Sequence, residues 1–185
     1  MYITFNYDLY SRLNPRLYNI VTENFLSSPV RGGALRTDFD LHQRQLKDID
    51  ILLRWVRNIL PQACYYFSQL EDSPAKALDL PYDMNFFEVV DCWGIHYNKG
   101  QSVIKHNHFP YSLSFCYYVK VPRGSSPLIL EGKRIKPIEG QIILFPAYQY
   151  HSSPKSKVDG RCAITGNILY YPHGEHMLGG GGGGS

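Results

Sequence analysis

From Phe86 onward the chain breaks into short runs of β-branched and aromatic residues, each closed by a turn. The runs are FFEVVDCWGIHYN, SVIKH, YSLSFCYYVKV, PLILEG, QIILFPA and RCAITGNILYY, with turn signals at Lys99-Gly100, Arg123-Gly124, Glu139-Gly140 and Asp159-Gly160. Such runs leave no room for the long crossover helices of a parallel sheet. They predict a sandwich or jelly roll rather than βαβ units.

The first half reads differently. Residues 8–27 place Leu13, Leu17, Ile20 and Val21 at helical spacing, with Pro15 expected in the first turn of the main helix. After a polar turn with Gly32 and Gly33, Asp40 is the expected cap of a long helix through Leu46, Ile49, Leu53, Val56 and Leu60. Pro61 is expected to kink or end that helix, with a continuation to Gln69, and His42 is read on its solvated face. Residues 70–85 carry two prolines, several acids and no period, which predicts a loop and a candidate lid. The expected class is therefore α+β: helical support over 1–70, a β core over 86–171, and one domain spanning 1–178. Residues 179–185, six glycines and a serine, have linker composition and are left out of the fold.

Bulk properties narrow the function. A net charge of +3 with no polybasic run gives no signal for a nucleic-acid or anionic-membrane partner. Cys64, Cys92, Cys116 and Cys162 are scattered without CxxC pairing, so neither a disulfide framework nor a zinc ribbon is expected. The opening MYITFNYDLY lacks a secretory pattern, and no apolar run reaches membrane length. A reducing, cytoplasmic setting is the expectation.

The chemistry concentrates in the β half. His106 and His108 stand two apart at a strand entry, where i and i+2 side chains share a face. Two imidazoles so placed can close on one metal ion, although water can equally satisfy such a pair. His151 follows the strand QIILFPA, and Arg161 comes ten residues later. Ser112, Ser114, Cys116 and Tyr118 share one side of their strand by period 2. Oxygen-activating iron needs a facial set of ligands that leaves positions open. A guanidinium buried near such a set is costly unless an anion pairs with it, which points to an anionic co-substrate.

In this order the elements WGIHYNKG, HNHFPYSLSFCYYV, GQIILFPAYQYHSSP and RCAITGN resemble the Fe(II)- and 2-oxoglutarate-dependent oxygenases. The nearest likeness is to the small, prolyl-hydroxylase-like 2OG-Fe(II) oxygenases of bacteria and phages, over roughly Trp93 to Asn167. The resemblance implies a double-stranded β-helix, the jelly-roll or cupin-like core, with the N-terminal helices packed on it. It implies Fe(II), 2-oxoglutarate and O2 as cofactor and co-substrates. His106 becomes the first metal ligand and His151 the distal one. Arg161 would bind the far carboxylate of 2-oxoglutarate, with the Tyr118 hydroxyl beside it and Tyr97 lining the pocket. The implied activity is a dioxygenase that hydroxylates a peptide or protein side chain, or a small molecule, while 2-oxoglutarate is decarboxylated to succinate.

One position departs from the pattern. Where the superfamily usually has Asp, this chain has His108, and neither Asp91 on an earlier strand nor Glu131 on a later hairpin restores the carboxylate. Either His108 ligates, giving three neutral ligands and one more unit of positive charge, or it points away and water takes the position. Ligation is the expectation adopted here. Two rivals stand beside the main reading: a cupin-like three-histidine oxygenase that does not use 2-oxoglutarate, and a metal-free jelly-roll binding or virion-associated module. Trp93 is expected in the core. His96, His173 and His176 are expected at the surface or in the tail.

Overall fold

The structure is a computed structural model that describes residues 1–69 and 87–170. The expected lid, the glycine tail, His173 and His176 lie outside the described residues. In chain order the elements are β1 (Ile3–Asn6), α1 (Tyr10–Glu23), β2 (Leu35–Arg36), a 3-10 turn (Leu41–Gln43) and α2 (Lys47–Ser68). The β half follows as β3 (Phe87–Tyr97), β4 (Val103–His106), β5 (Leu113–Lys120), β6 (Leu128–Leu130), β7 (Lys133–Ile135), β8 (Gln141–Pro146), β9 (His151–Ser153) and β10 (Arg161–Tyr170).

These strands form two antiparallel sheets. The larger runs β1-β8-β5-β10-β3-β2 and the smaller β4-β9-β6-β7. Strand alternation gives the larger sheet two different apolar faces. Phe115, Tyr117, Val119, Ile142, Leu144, Cys162 and Ile164 pack outward against the helices. Cys116, Tyr118, Ile143, Phe145, Ala163, Trp93, Ile95 and Tyr97 pack inward with Leu128, Leu130 and Ile135 of the smaller sheet. The site lies in this second, inter-sheet layer. The expected jelly roll with helices packed on one face is what the chain forms.

The helices bury the stripes expected of them, but their ends differ. α1 presents Leu13, Leu17 and Val21, and Pro15 lies well inside it rather than in its first turn. The proline removes one backbone donor, and tertiary burial of the stripe holds the helix together. Asn14 adds a specific tie: its amide donates to the Val119 carbonyl at 2.8 Å and its oxygen accepts from Tyr117 Oη at 2.7 Å. Gly94 on β3 lets the helix approach this closely, since a Cβ there would stand 2.3 Å from Val21 Cγ2. Asp40 does not cap the long helix. It precedes the 3-10 turn and its carboxylate pairs with Arg44 at 2.7 Å, while α2 begins at Lys47. Pro61 does not end α2, which runs on to Ser68 with Leu60, Ala63, Cys64 and Phe67 buried.

Four further strands carry too little local pattern to be anticipated, among them the two-residue β2. β1 is four residues long and pairs with β8, more than 130 residues away, from Ile3↔Leu144 to Asn6↔Gln141. β7 and β9 are three residues each. All four cysteines are buried and free, as expected without a disulfide framework. Among the described residues, no helix is long and apolar enough to cross a membrane.

Candidate metal centre

His106, His108 and His151 come together, with one ligand nitrogen from each lying within 4.8 Å of the others. They arrive by different routes. His106 is the last residue of β4 and pairs across the ladder with His151, the first of β9. His108 lies past the strand end, on the turn toward β5, where its backbone N–H donates to the Ala147 carbonyl at 2.8 Å. The expectation of two same-face residues on one strand is therefore corrected: a strand end and a turn aim the two imidazoles inward.

Backbone carbonyls orient two of the three rings. His106 Nδ1 lies 2.8 Å from the Ile104 carbonyl and His151 Nδ1 3.2 Å from that of Gln149. A carbonyl only accepts, so each Nδ1 carries its proton and each Nε2 keeps a free lone pair. His108 Nε2 and His151 Nε2 stand 3.2 Å apart. Burial, followed by the charge of His106, brings His108 down to about 4 and His151 down to about 3, with His108 adding to the effect on His151. Both are neutral at physiological pH, the form that binds a metal. Trp93 and Phe145 wall the centre, with ring centroids 5.6 Å from His108 and 5.0 Å from His151.

A second polar group lies deeper between the sheets. Arg161 opens β10 and is 1 % exposed. Its Nη1 donates to Ser126 Oγ at 3.0 Å and also to Ser153 Oγ. The guanidinium lies 4.4 Å from the centroid of Tyr97 and 5.5 Å from that of Tyr118. Among the described residues no carboxylate pairs with it, and both its Nε and the Tyr118 hydroxyl lack a partner in ordinary hydrogen-bond geometry. Burial holds the Tyr118 phenol well above its usual value, so the hydroxyl remains a donor. Two buried donors and a buried charge thus lack an anion.

One short strand joins the two groups. His151 and Ser153, at i and i+2 of β9, are both buried, with Ser152 between them less so. The first reaches the imidazole cluster and the second holds Arg161. Two residues of strand advance about 7 Å, the scale of a five-carbon dicarboxylate. The three imidazoles, Ser153, Tyr97 and Arg161 line a single cavity of about 710 Å³.

All six sequence candidates therefore meet at this cavity or in the layer beneath it. Ser114 and Cys116 face the same side as Tyr118, whereas Ser112 precedes β5 and accepts from the Tyr170 backbone N–H at 3.0 Å. Trp93 packs in the inter-sheet core and also walls the cavity. His96 is buried at 6 % exposure, not at the surface, with Nε2 3.3 Å from Tyr18 Oη. His42 lies in the 3-10 turn, half-buried, rather than on a helix face. Ser126, Ser153, Asn167 and Asp91 were not anticipated. The only available signal was Ser153, two residues beyond His151 on the same strand face.

No protein-family model matches the chain, and no curated protein matches it by sequence. Solved structures do match in three dimensions. The viral collagen prolyl hydroxylase of Paramecium Bursaria Chlorella virus-1, in its 2OG complex, superposes with a TM-score of 0.67 at 16 % identity, covering 90 % of this chain and 94 % of that one. A Pseudomonas putida prolyl-4-hydroxylase gives 0.60 at 17 % identity, with 92 % of each chain covered. The α-ketoglutarate-dependent epimerase SnoN of nogalamycin biosynthesis gives 0.64 at 12 % identity, covering 98 % of this chain and 86 % of that one. The chain thus has the double-stranded β-helix fold of the prolyl-hydroxylase-like 2OG-Fe(II) oxygenases. An epimerase sharing that fold means the reaction must be argued from the site.

Proposed function

We propose that the protein is an Fe(II)- and 2-oxoglutarate-dependent dioxygenase that hydroxylates a peptide or protein side chain or a small molecule. The observation that carries this reading is Arg161: a buried guanidinium that meets no carboxylate among the described residues, beside a Tyr118 hydroxyl likewise unpartnered among them, one short strand away from three converging imidazoles.

The donor set fits the group it would hold. His106, His108 and His151 offer three neutral nitrogens, suited to Fe(II), and three protein ligands leave coordination positions for small ligands. Bound iron supplies the oxidising chemistry, by which O2 and 2-oxoglutarate yield succinate, carbon dioxide and one oxygen atom inserted into a substrate C–H bond. The protein's own residues bind and orient. Arg161 and the Tyr118 O–H would hold the distal carboxylate, with the Tyr97 ring 4.4 Å from the guanidinium carbon in a cation–π contact. Ser126 and Ser153 hold Nη1, so the arginine is aimed before the ligand arrives. Ile104 and Gln149 carbonyls keep the imidazoles in the ligating tautomer. Trp93 and Phe145 keep bulk water from the centre.

Anaerobic addition of Fe(II) and 2-oxoglutarate tests this reading. A visible charge-transfer band, followed by succinate release on admission of oxygen, is expected; neither signal with an iron-loaded protein would overturn it. His108, an imidazole at the usual carboxylate position, favours one alternative: a three-histidine oxygenase that takes no 2-oxoglutarate. That protein would bind Fe(II) yet show no band and release no succinate. Failure to bind any transition metal would instead favour a metal-free binding module.

A further inference from the structure

At the opposite end of the cavity from Arg161 lies an acidic group that the proposed chemistry does not use. The inward residues of β10 pair in order with those of β3: Arg161↔Tyr97, Ala163↔Ile95, Thr165↔Trp93 and Asn167↔Asp91. Six residues of strand separate the first rung from the last, about 20 Å. The cavity is therefore polarised, with a buried cation at one end and the Asp91 carboxylate at the other.

Asp91 is held in place by a buried chain of hydrogen bonds. Ser114 Oγ donates to Asn167 Oδ1 at 2.8 Å, and Asn167 Nδ2 donates to Asp91 Oδ2 at 3.1 Å. Ser114 and Asn167 are almost wholly buried, whereas Asp91 is half-buried at the cavity. A buried polar chain of this kind fixes the orientation of whatever ends it. Asp91 Oδ1 has no hydrogen-bond partner among the described residues, and Asp91 is not among the groups that converge as metal ligands. Two of the other cations that line the cavity are engaged elsewhere: the Arg36 guanidinium lies 4.1 Å from the Phe39 ring centroid and its Nη1 donates to the Thr37 carbonyl at 2.9 Å, and Lys105 Nζ lies 5.2 Å from the Tyr150 ring centroid.

We infer that Asp91 is a specificity-determining residue that receives an ammonium or guanidinium group of the substrate. This deepens the oxygenase reading and rests on it for the fate of the bound molecule. Trp93 stands two residues from Asp91 on the same face and touches His108, so a cation on Asp91 would lie about 7 Å of strand from the rung beside the metal centre. Trp93 and Phe39, in edge contact at 5.0 Å, offer an aromatic wall for the aliphatic stem between the two points. A lysine- or arginine-like side chain, or a comparable amine, has this shape. A partly desolvated carboxylate held by one neutral amide gains most from such a partner.

Direct binding of blocked amino acids tests this without turnover. Acetyl-lysine amide, acetyl-arginine amide, acetyl-norleucine amide and acetyl-glutamate amide are titrated into the full chain, with tryptophan fluorescence as readout. The wild-type protein is expected to bind the two cationic probes roughly 10- to 100-fold more tightly than the norleucine probe, which keeps an aliphatic stem and lacks the charged head. Asp91→Asn, which keeps shape and removes charge, is expected to lose that preference. Asn167→Ala, which leaves the charge but frees the carboxylate, should weaken the preference without reversing it. No preference for cations, a preference retained in Asp91→Asn, or tighter binding of the glutamate probe would overturn the assignment, the last by giving the cavity end to Arg36. Loss of Fe(II) binding in Asp91→Asn would also overturn it, by making Asp91 a ligand. The charge-transfer test of 2-oxoglutarate binding on wild-type protein is a separate reading, so the two can fail independently.

Discussion

Arg161 and Tyr97 face each other across the β10–β3 ladder, with the guanidinium carbon 4.4 Å from the centroid of the phenol ring. The pair places a permanent positive charge between two sheets, where burial disfavours it and no carboxylate among the described residues offsets it. On the proposed reading, the distal carboxylate of 2-oxoglutarate supplies the missing anion.

Replacing Arg161 with Met should therefore separate stability from binding. The unliganded protein is expected to stay within about 1 kcal/mol of wild type, because the lost hydrogen bonds to Ser126 and Ser153 are offset by removal of an unpaired buried charge. Binding of 2-oxoglutarate is expected to fall by more than about a hundredfold, whereas Arg161→Lys, which cannot present a planar fork, should fall roughly tenfold. Thermal melting and isothermal titration check the two halves. A variant several kcal/mol less stable with unchanged 2-oxoglutarate affinity would mark Arg161 as purely structural.

The three imidazoles should contribute unequally to metal binding. Alanine at His106 or His151 is expected to abolish Fe(II) binding, since each ring is oriented by a carbonyl. Alanine at His108 should cost more than the roughly 10- to 100-fold typical of a lost outer partner. His108→Asp, which supplies an anionic ligand, should recover much of that loss. Anaerobic competition with a chelator measures all four. Wild-type affinity in His108→Ala would show that water takes the third position.

His96 makes stability depend on pH. Its burial, reinforced by Lys120 and opposed by Asp159, lowers it from its ordinary 6.5. In the unfolded chain the ring gains its proton near that ordinary value, while in the folded protein it does so only at lower pH. The unfolded state thus binds more protons between the two values, and stability falls as pH drops below about 6.5 toward the folded value. Urea unfolding between about pH 7.5 and pH 5 should show a shallower loss for His96→Phe than for wild type. Equal slopes would remove His96 from the account.

The helix–sheet contact at Gly94 is testable by compensation. Gly94→Ala drives a methyl into Val21 and is expected to cost about 1–3 kcal/mol. Val21→Ala leaves a cavity and costs roughly 2 kcal/mol alone. Together they should cost clearly less than the sum, because the new methyl occupies the vacated space. A strictly additive double mutant would mean that α1 moves away instead.

Much of the site was legible because its signals are local. Period-2 alternation through LSFCYYVK put Ser114, Cys116 and Tyr118 on one face, and the sheet kept them there. The ten-residue step from His151 to Arg161 spans one short strand and one turn, and Arg161 does open the next strand. The helix ends were less legible. Asp40 looks like a cap by residue type, but its carboxylate is taken by Arg44 and the chain makes a 3-10 turn before α2 begins. His96 reads as a surface histidine because its burial depends on Tyr18 and Phe25, 78 and 71 residues earlier in the chain.

The sequence by itself determined the alternating faces, the strand-and-turn rhythm of the second half and the order of His106, His108, His151 and Arg161, since each follows from spacing along one chain. Tertiary structure alone decided which side of each strand meets the helices and which meets the other sheet. It added β1 to the sheet edge through pairing with β8. It also set Ser126 and Ser153 on Arg161, and Asn167 on Asp91. Those contacts join residues from separate strands, and no local period encodes a hydrogen bond that exists only after two sheets close on each other.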